Sequence, residues 1–333
     1  MSDTPIGILG VGAYLPTRIM ENAEWTQYVD TTDEWIVSRT GIRRRRIAAE
    51  TETTVDLAAN AARCALQRAG VTAEELAEII VATDTPEVAS PDTAAFVQHR
   101  LGAREIPSYD LAGSGCAGFV QALDVARARV LLGRDPILVI GVELITRRMS
   151  WSDRNTAVLC GAGAGAAVVS HGPRVAAILG AVAGTDGSQA GILGLEVGGS
   201  RRPFSLEEAQ RGGHKAVIMN GKEVFREAVR RMSAASRQVL AETGLSVSDL
   251  ALVVPHQANL RIVQAVARSL DVPWEKVMCN VEEYGNMGSA SIPVALWEAE
   301  NAGRISAGDT VLLTSFGAGF HWAAMVVRYA STG

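Results

Sequence analysis

The sequence predicts an α/β protein made of two copies of one strand–helix unit, and three observations carry that reading. Apolar, β-rich runs alternate with helix-like segments along the chain. Four segments of the first half recur in the same order in the second half. No Pro/Ser-rich linker parts the copies, so residues 1–170 and 171–333 are expected to share one interface.

The first recurrent element pairs GVTAEELAEIIVAT (70–83) with GLSVSDLALVVPH (244–256). Each opens on a glycine that stops a helix, passes a short acidic turn and ends in an apolar strand. The second pairs REIPSYDLAGSGCAGFVQALDVA (104–126) with EKVMCNVEEYGNMGSASIPVALWEA (275–299). Each reads as a strand, a small-residue turn and a helix. The third pairs two buried strands, PILVIGVE (136–143) and TVLLTSFG (310–317). The fourth pairs GAGAGAAVVS (161–170) with GAGFHWAAMVVRY (317–329), each a glycine turn feeding a last strand. The period is too long for a solenoid. The pattern implies parallel or mixed sheets covered by helices, with functional groups where strand ends of both copies meet.

Composition narrows the function classes. Hydrophobic residues make up 48% and charged residues 20% of the 333, an ordinary globular balance with room for a large core. The net charge of −5 gives no global basic field for nucleic acid. The run Arg43-Arg44-Arg45-Arg46 stands out, and reads either as a solvated surface turn or as an anion site. The start MSDTPIGILGVG lacks a basic segment followed by a long apolar one, so no secretory signal is expected. No uninterrupted apolar run approaches membrane-spanning length, so no membrane partner is expected. Cys64, Cys116, Cys160 and Cys279 are widely spaced without C-x-x-C pairing, which speaks against a metal site or disulfides and fits a cytoplasmic setting. Gly10-Val11-Gly12 and the glycines of 161–165 lack the features of nucleotide loops.

Cys116 is the candidate nucleophile. A strand ends in Gly113-Ser114-Gly115, and a helix is expected to start at or near Cys116. Unpaired N–H groups and the positive end of a helix favour thiolate, and neighbouring amides can hold an oxyanion. Cys64, Cys160 and Cys279 read as small core residues. His256 ends an apolar strand after Pro255, a good place for proton transfer. His99, His171, His214 and His321 lack such a setting and make no zinc spacing. Asn286 sits in YGNMGSAS (284–291), the second-copy counterpart of the Cys116 turn. Alone it would be a turn residue. The duplication brings it toward the same centre, where His and Asn donors could stabilise an enolate beside a thioester.

Six ordered segments resemble one known family. DLAGSGCAGF, VVPHQANLRI, EEYGNMGSAS and SFGAGFHWAAMVVRY are similar to the signatures of β-ketoacyl-ACP synthase III, and TTDEWIVSRTGIRRRRIA (31–48) and MNGKEVFREAV (219–229) to its other diagnostic segments. The resemblance covers essentially the whole chain. It implies the thiolase fold, two βαβαβαββ units in a five-layered αβαβα core, in a homodimer. It implies that Cys116 accepts the acyl group while His256 and Asn286 hold the second thioester. Backbone N–H groups of Cys116 and Ala318 would form the oxyanion hole, and Phe316 would lie near His256. Trp35, Arg39 and Arg154 resemble residues that clasp the adenine end of coenzyme A, and Asn259 a pantetheine contact. Arg226, Arg261 and Arg268 match basic positions that meet an acidic acyl carrier protein. No metal or redox cofactor is implied, since coenzyme A or phosphopantetheine enters with the substrate.

The chain also departs from the family pattern. Gly-Asp-Gly-Ala-Gly becomes Gly161-Ala162-Gly163-Ala164-Gly165, Gly-Asn-Thr becomes Gly285-Asn286-Met287, and Gly-Gly-Gly becomes Gly317-Ala318-Gly319. Ser90 replaces a bulky aromatic of some short-chain members, which suggests a roomier acyl pocket. These departures favour a polyketide-type enzyme that joins two β-keto chains on the way to an α-pyrone. The alternatives are the fatty-acid starter reaction, acyl-CoA plus malonyl-carrier, and acyl transfer to a hydroxyl or amine. From another class comes a non-catalytic carrier-docking subunit.

Overall fold

The computed structural model describes residues 4–330, so the outermost three residues of each half lie outside it. The first half contains β1 (Ile6–Tyr14), β2 (Arg18–Glu21), α1 (Asp33–Thr40), β3 (Arg44–Ile47), α2 (Thr54–Ala69), β4 (Glu78–Thr83), α3 (Thr93–Leu101), β5 (Ser108–Ala112), α4 (Gly118–Leu131), β6 (Ile137–Leu144) and β7 (Ala162–His171). The second contains β8 (Ala176–Thr185), β9 (Leu193–Leu195), α5 (Leu206–Gln210), β10 (Val217–Met219), α6 (Gly221–Glu242), β11 (Leu252–Pro255), α7 (Leu260–Leu270), α8 (Val281–Tyr284), α9 (Ser291–Asn301), β12 (Thr310–Gly317) and β13 (His321–Arg328). Local chemistry sets the ends. In α2, Thr53 and Asp56 form a reciprocal capping box and Gly70 closes the helix at φ 68°.

One nine-stranded sheet runs through the molecule in the order β11-β12-β13-β8-β1-β7-β6-β4-β5. The order repeats between halves. β4 pairs parallel with β6, which pairs antiparallel with β7, which pairs antiparallel with β1. Likewise β11 pairs parallel with β12, then β13 and β8 follow antiparallel. Only two residue pairs, Gly7–Ala177 and Ile8–Ala176, join β1 to β8. The counterpart of β5 is reduced to an isolated bridge between Val253 and Val277. With that reduction, both halves follow the βαβαβαββ order the resemblance implies.

Side-chain alternation builds five layers. On β4, Ile80 and Ala82 face a core shared with α4 and α9, while Ile79 and Val81 face a core shared with α2. On β12, Val311 and Leu313 join the shared core, and Leu312 faces α6 and α7. Helix α4 packs on β4 and β6 of one half and on β12 and β13 of the other. The layers are therefore α2/α3, a half-sheet, α4/α9, a half-sheet and α6/α7. Two excursions lie outside this frame: β2–β3 with α1, and a flap of β9, α5 and β10. Among the described residues, no helix is long and apolar enough to cross a membrane.

Candidate active site at the meeting of the two halves

Cys116 and His256 follow strand ends that the sheet brings inward, and Asn286 follows the short helix α8. Beyond β5, Gly113 (φ 77°) and Gly115 (φ 53°) turn the chain so tightly that left-handed backbone is needed at both. Cys116 occupies a single 3-10 turn, Gly115–Ala117, and α4 follows at Gly118. Burial works against the expected bias toward thiolate. Burial pushes the Cys116 thiol well above its ordinary value, and the carboxylates of Asp84 and Glu143 push the same way.

His256 continues β11 beyond Pro255, its amide donating to the Thr314 carbonyl at 2.8 Å. The side chain is buried, and neither ring nitrogen has a hydrogen-bond partner among the described residues. Burial lowers its pKa to about 3, so the imidazole is neutral at physiological pH.

Asn286 is held on both sides by the chain ahead of β7. Its amide donates to the Leu159 carbonyl at 2.7 Å, and its carbonyl accepts from Gly161 at 2.9 Å. Its side-chain Oδ1 accepts the Gly288 amide at 2.8 Å and lies 3.9 Å from Cys116 Sγ. The amide NH2 is left without a protein acceptor among the described residues. Met287, the bulky departure beside it, is fully buried among Ala13, Leu15 and Val294. Gly163 makes room for it, since a methyl there would come 2.7 Å from Met287 Sδ.

Cys116, His256 and Asn286 line one cavity of about 170 Å³ together with Phe316, Asn259 and apolar residues. Leu193 and Met219 of the flap, and Val224, Phe225 and Met232 of α6, form much of its wall. No local sequence pattern marks these residues as cavity wall. The oxyanion candidates also converge. A methyl on Gly115 would come 2.7 Å from the Ala318 nitrogen, and one on Gly317 would come 2.5 Å from the Cys116 nitrogen. The two loops touch backbone to backbone because both lack side chains there.

The remaining candidates fall into three groups. The guanidinium carbons of Arg39 and Arg154 lie 5.0 and 4.5 Å from the centre of the Trp35 ring, so this trio is assembled. Asn259 caps α7 by accepting from Arg261 N at 2.8 Å and donates to the Arg39 carbonyl at 3.1 Å. Arg226 on α6 and Arg261 and Arg268 on α7 are exposed on helices that pack together. Ser90 stands apart from these groups, in the exposed loop between β4 and α3 and outside the lining of the cavity within this chain.

Glu143 was not apparent from sequence, where it reads as the end of an apolar strand. It is buried and joins three segments. Its carboxylate accepts from Thr85 Oγ1 at 2.8 Å, Asp84 N at 3.1 Å and Ser289 Oγ at 3.1 Å. Burial, reinforced by Asp84, raises its pKa to about 8.

The depressed pKa of His256 has a measurable consequence. An unfolded histidine takes up a proton near pH 6.5, whereas the buried one resists until about pH 3. The unfolded state therefore binds more protons between those values, and stability falls as pH drops through the window. Denaturant melts at pH 7 and pH 5 should show a smaller loss for His256→Gln than for the wild type. Equal losses would mean that the histidine is charged in the fold.

Comparison with known proteins agrees with this geometry. Residues 109–187 match the family model for 3-oxoacyl-[acyl-carrier-protein (ACP)] synthase III, and residues 240–329 match its C-terminal model. The β-ketoacyl-[acyl-carrier-protein] synthase III of Symbiobacterium thermophilum is 46% identical over 330 residues, covering 99% of both chains. The chain belongs to the 3-oxoacyl-[acyl-carrier-protein] synthase III family. Like the family, it is a condensing enzyme of the acyltransferase type. The synthase III structure from Thermus thermophilus superimposes with a TM-score of 0.90 at 46% identity, over 98% of this chain and 100% of that one. The priming β-ketosynthase of the R1128 polyketide pathway also gives 0.90, at 36% identity over 99% and 98%. Membership excludes the carrier-docking subunit without catalysis. The comparisons give no support to the joining of two β-keto chains. The synthase III enzymes above match across nearly their whole length, and the polyketide relative is itself a priming enzyme.

Proposed function

We propose that the enzyme performs a starter condensation, uniting an acyl group from coenzyme A with a malonyl group on an acyl carrier protein. The observation that carries this reading is the convergence of a thiol, a neutral imidazole and a free amide NH2 on one largely apolar cavity. In the first half-reaction Cys116 attacks the acyl thioester. The thiol proton passes to the departing coenzyme A sulfur as the new C–S bond forms and the old one breaks, because an imidazole that stays neutral down to about pH 3 is too weak a base to take it. The Cys116 and Ala318 amides stabilise the oxyanion.

In the second half-reaction the malonyl thioester carbonyl accepts hydrogen bonds from His256 and Asn286. The bond to its carboxylate breaks, carbon dioxide leaves, and the electron pair remains as an enolate. The enolate carbon attacks the acyl group, the C–S bond to Cys116 breaks, and the thiolate takes up a proton from solvent. A neutral imidazole suits this step because it has an N–H to donate without needing a counter-ion.

Trp35, Arg39 and Arg154 would bind the adenine end of coenzyme A, and Asn259 the pantetheine. Arg226, Arg261 and Arg268 would meet the acidic carrier. The reading includes a homodimer in the cytoplasm. It is tested by intact-mass measurement after incubation with acyl-CoAs, then a malonyl-carrier chase. An acyl adduct that disappears on the chase with release of carbon dioxide is expected. Turnover that needs a second β-keto carrier and no malonate would overturn it.

A further inference from the structure

The run Arg43–Arg46 is not a turn. Arg44, Arg45 and Arg46 open β3 with Arg43 just ahead of it, and three of the four side chains reach α8, which leads directly into Gly285 and Asn286. Arg43 donates its amide to the Glu282 carbonyl at 2.9 Å, with its guanidinium 3.8 Å from the Glu282 carboxylate. Arg44 stands 3.4 Å from Glu21 and 3.6 Å from Glu283. Arg46 lies 5.9 Å from the centre of the Tyr284 ring and donates to the Pro16 carbonyl at 3.2 Å.

Arg45 points the other way and is fully buried. It donates to Asn22 Oδ1 and to the Val158 carbonyl, each at 2.7 Å, and lies 5.6 Å from the centre of the Trp25 ring. Among the described residues, no carboxylate reaches ion-pair distance of it. A buried guanidinium without a counter-ion is costly, and an apolar side chain of similar volume would serve packing better. Two backbone segments close to it frame Asn286. Methyl groups added at Gly161 and Gly285 would come 3.3 and 3.7 Å from Arg45 Cβ. Val158, whose carbonyl it holds, is followed by Leu159 and then Gly161, which grip Asn286 through the two backbone hydrogen bonds described above.

We infer that the Arg43–Arg46 segment is a positioning clamp for Asn286. The three outer arginines fix the short helix that delivers the asparagine, and Arg45 fixes the strand segment that pairs with it. The inference rests on the reading of Asn286 as a holder of the second thioester. It follows that the clamp governs condensation and leaves acyl loading of Cys116 alone, since loading does not use the Asn286 amide.

The test separates the two half-reactions in Arg45→Met, Arg46→Ala and Asn286→Ala. Loading is followed by intact mass, and condensation by release of carbon dioxide from a malonyl-carrier. A catalytic group displaced by about 1 Å costs about 100-fold, the loss expected for condensation in Arg45→Met, with loading unchanged. Arg46→Ala alters a half-buried side chain at the edge, so it folds even where Arg45→Met does not, and a smaller loss confined to condensation is expected. A merely structural role would lower both half-reactions together, and that result overturns the clamp. Loss of condensation in Asn286→Ala with none in the arginine variants overturns the clamp alone. Normal condensation by Asn286→Ala overturns the clamp together with the reading beneath it.

Discussion

Replacing Cys116 with alanine is expected to lower condensation by at least about 10⁴-fold and to abolish the acyl adduct, because the covalent route has no substitute at this position. Cys116 is the one cysteine among the residues lining the cavity. Cys64 lies on α2, Cys279 packs beside α6 and α7, and Cys160 packs against the cluster around Trp25 and Met149. Burial raises Cys160 to about 12 and Cys279 to about 11, as it raises Cys116, so what separates Cys116 from them is its place in the cavity wall. The substitution removes one sulfur from a partly buried site, and the melting temperature should hardly move. An adduct that survives in Cys116→Ala would relocate the nucleophile, and peptide mapping would show where.

Gly317→Ala should be nearly as damaging for a different reason. The added methyl would come 2.5 Å from the Cys116 nitrogen, 3.0 Å from the Ala117 nitrogen and 3.0 Å from the Ser114 carbonyl. All three are backbone atoms of the nucleophile turn, so no side chain can rotate away. The turn and the Gly317–Gly319 loop must part, which separates the Cys116 and Ala318 amides. Losing one oxyanion donor typically costs about 10²–10³ in rate, and that loss is expected in both half-reactions. Acyl loading at the wild-type rate would show that these two amides do not hold the oxyanion together.

The duplication was legible because buried strands and glycine turns are written in residues that few other structures tolerate. Cys116 and Asn286 could be found because glycines fix the turns around them, and His256 because it ends an apolar strand. Other features depend on partners far along the chain. Arg45 looks like surface in a run of four arginines, and only the Asn22 and Val158 contacts show otherwise. Glu143 looks like the frayed end of a strand until Thr85 and Ser289 meet it. The cavity wall borrowed from the flap follows from packing that no local pattern encodes.

The repeated strand order bears on how one centre came to hold unlike groups. The turns before α4 and α9 are both single 3-10 turns, with Gly115 at φ 53° and Gly288 at φ 52°, and they touch across the midline. The residue that corresponds to Cys116 in the second turn is Ser289, which is buried and spends its hydroxyl on the Ala82 carbonyl and Glu143. An assembly of two identical chains could present only matched side chains at such an axis. Covalent fusion lifts that restriction, since each turn can then mutate independently. Here one turn carries a reactive atom while its twin serves as scaffolding and lends the neighbouring amide, so the approximate symmetry lies in the backbone and is broken where the chemistry happens.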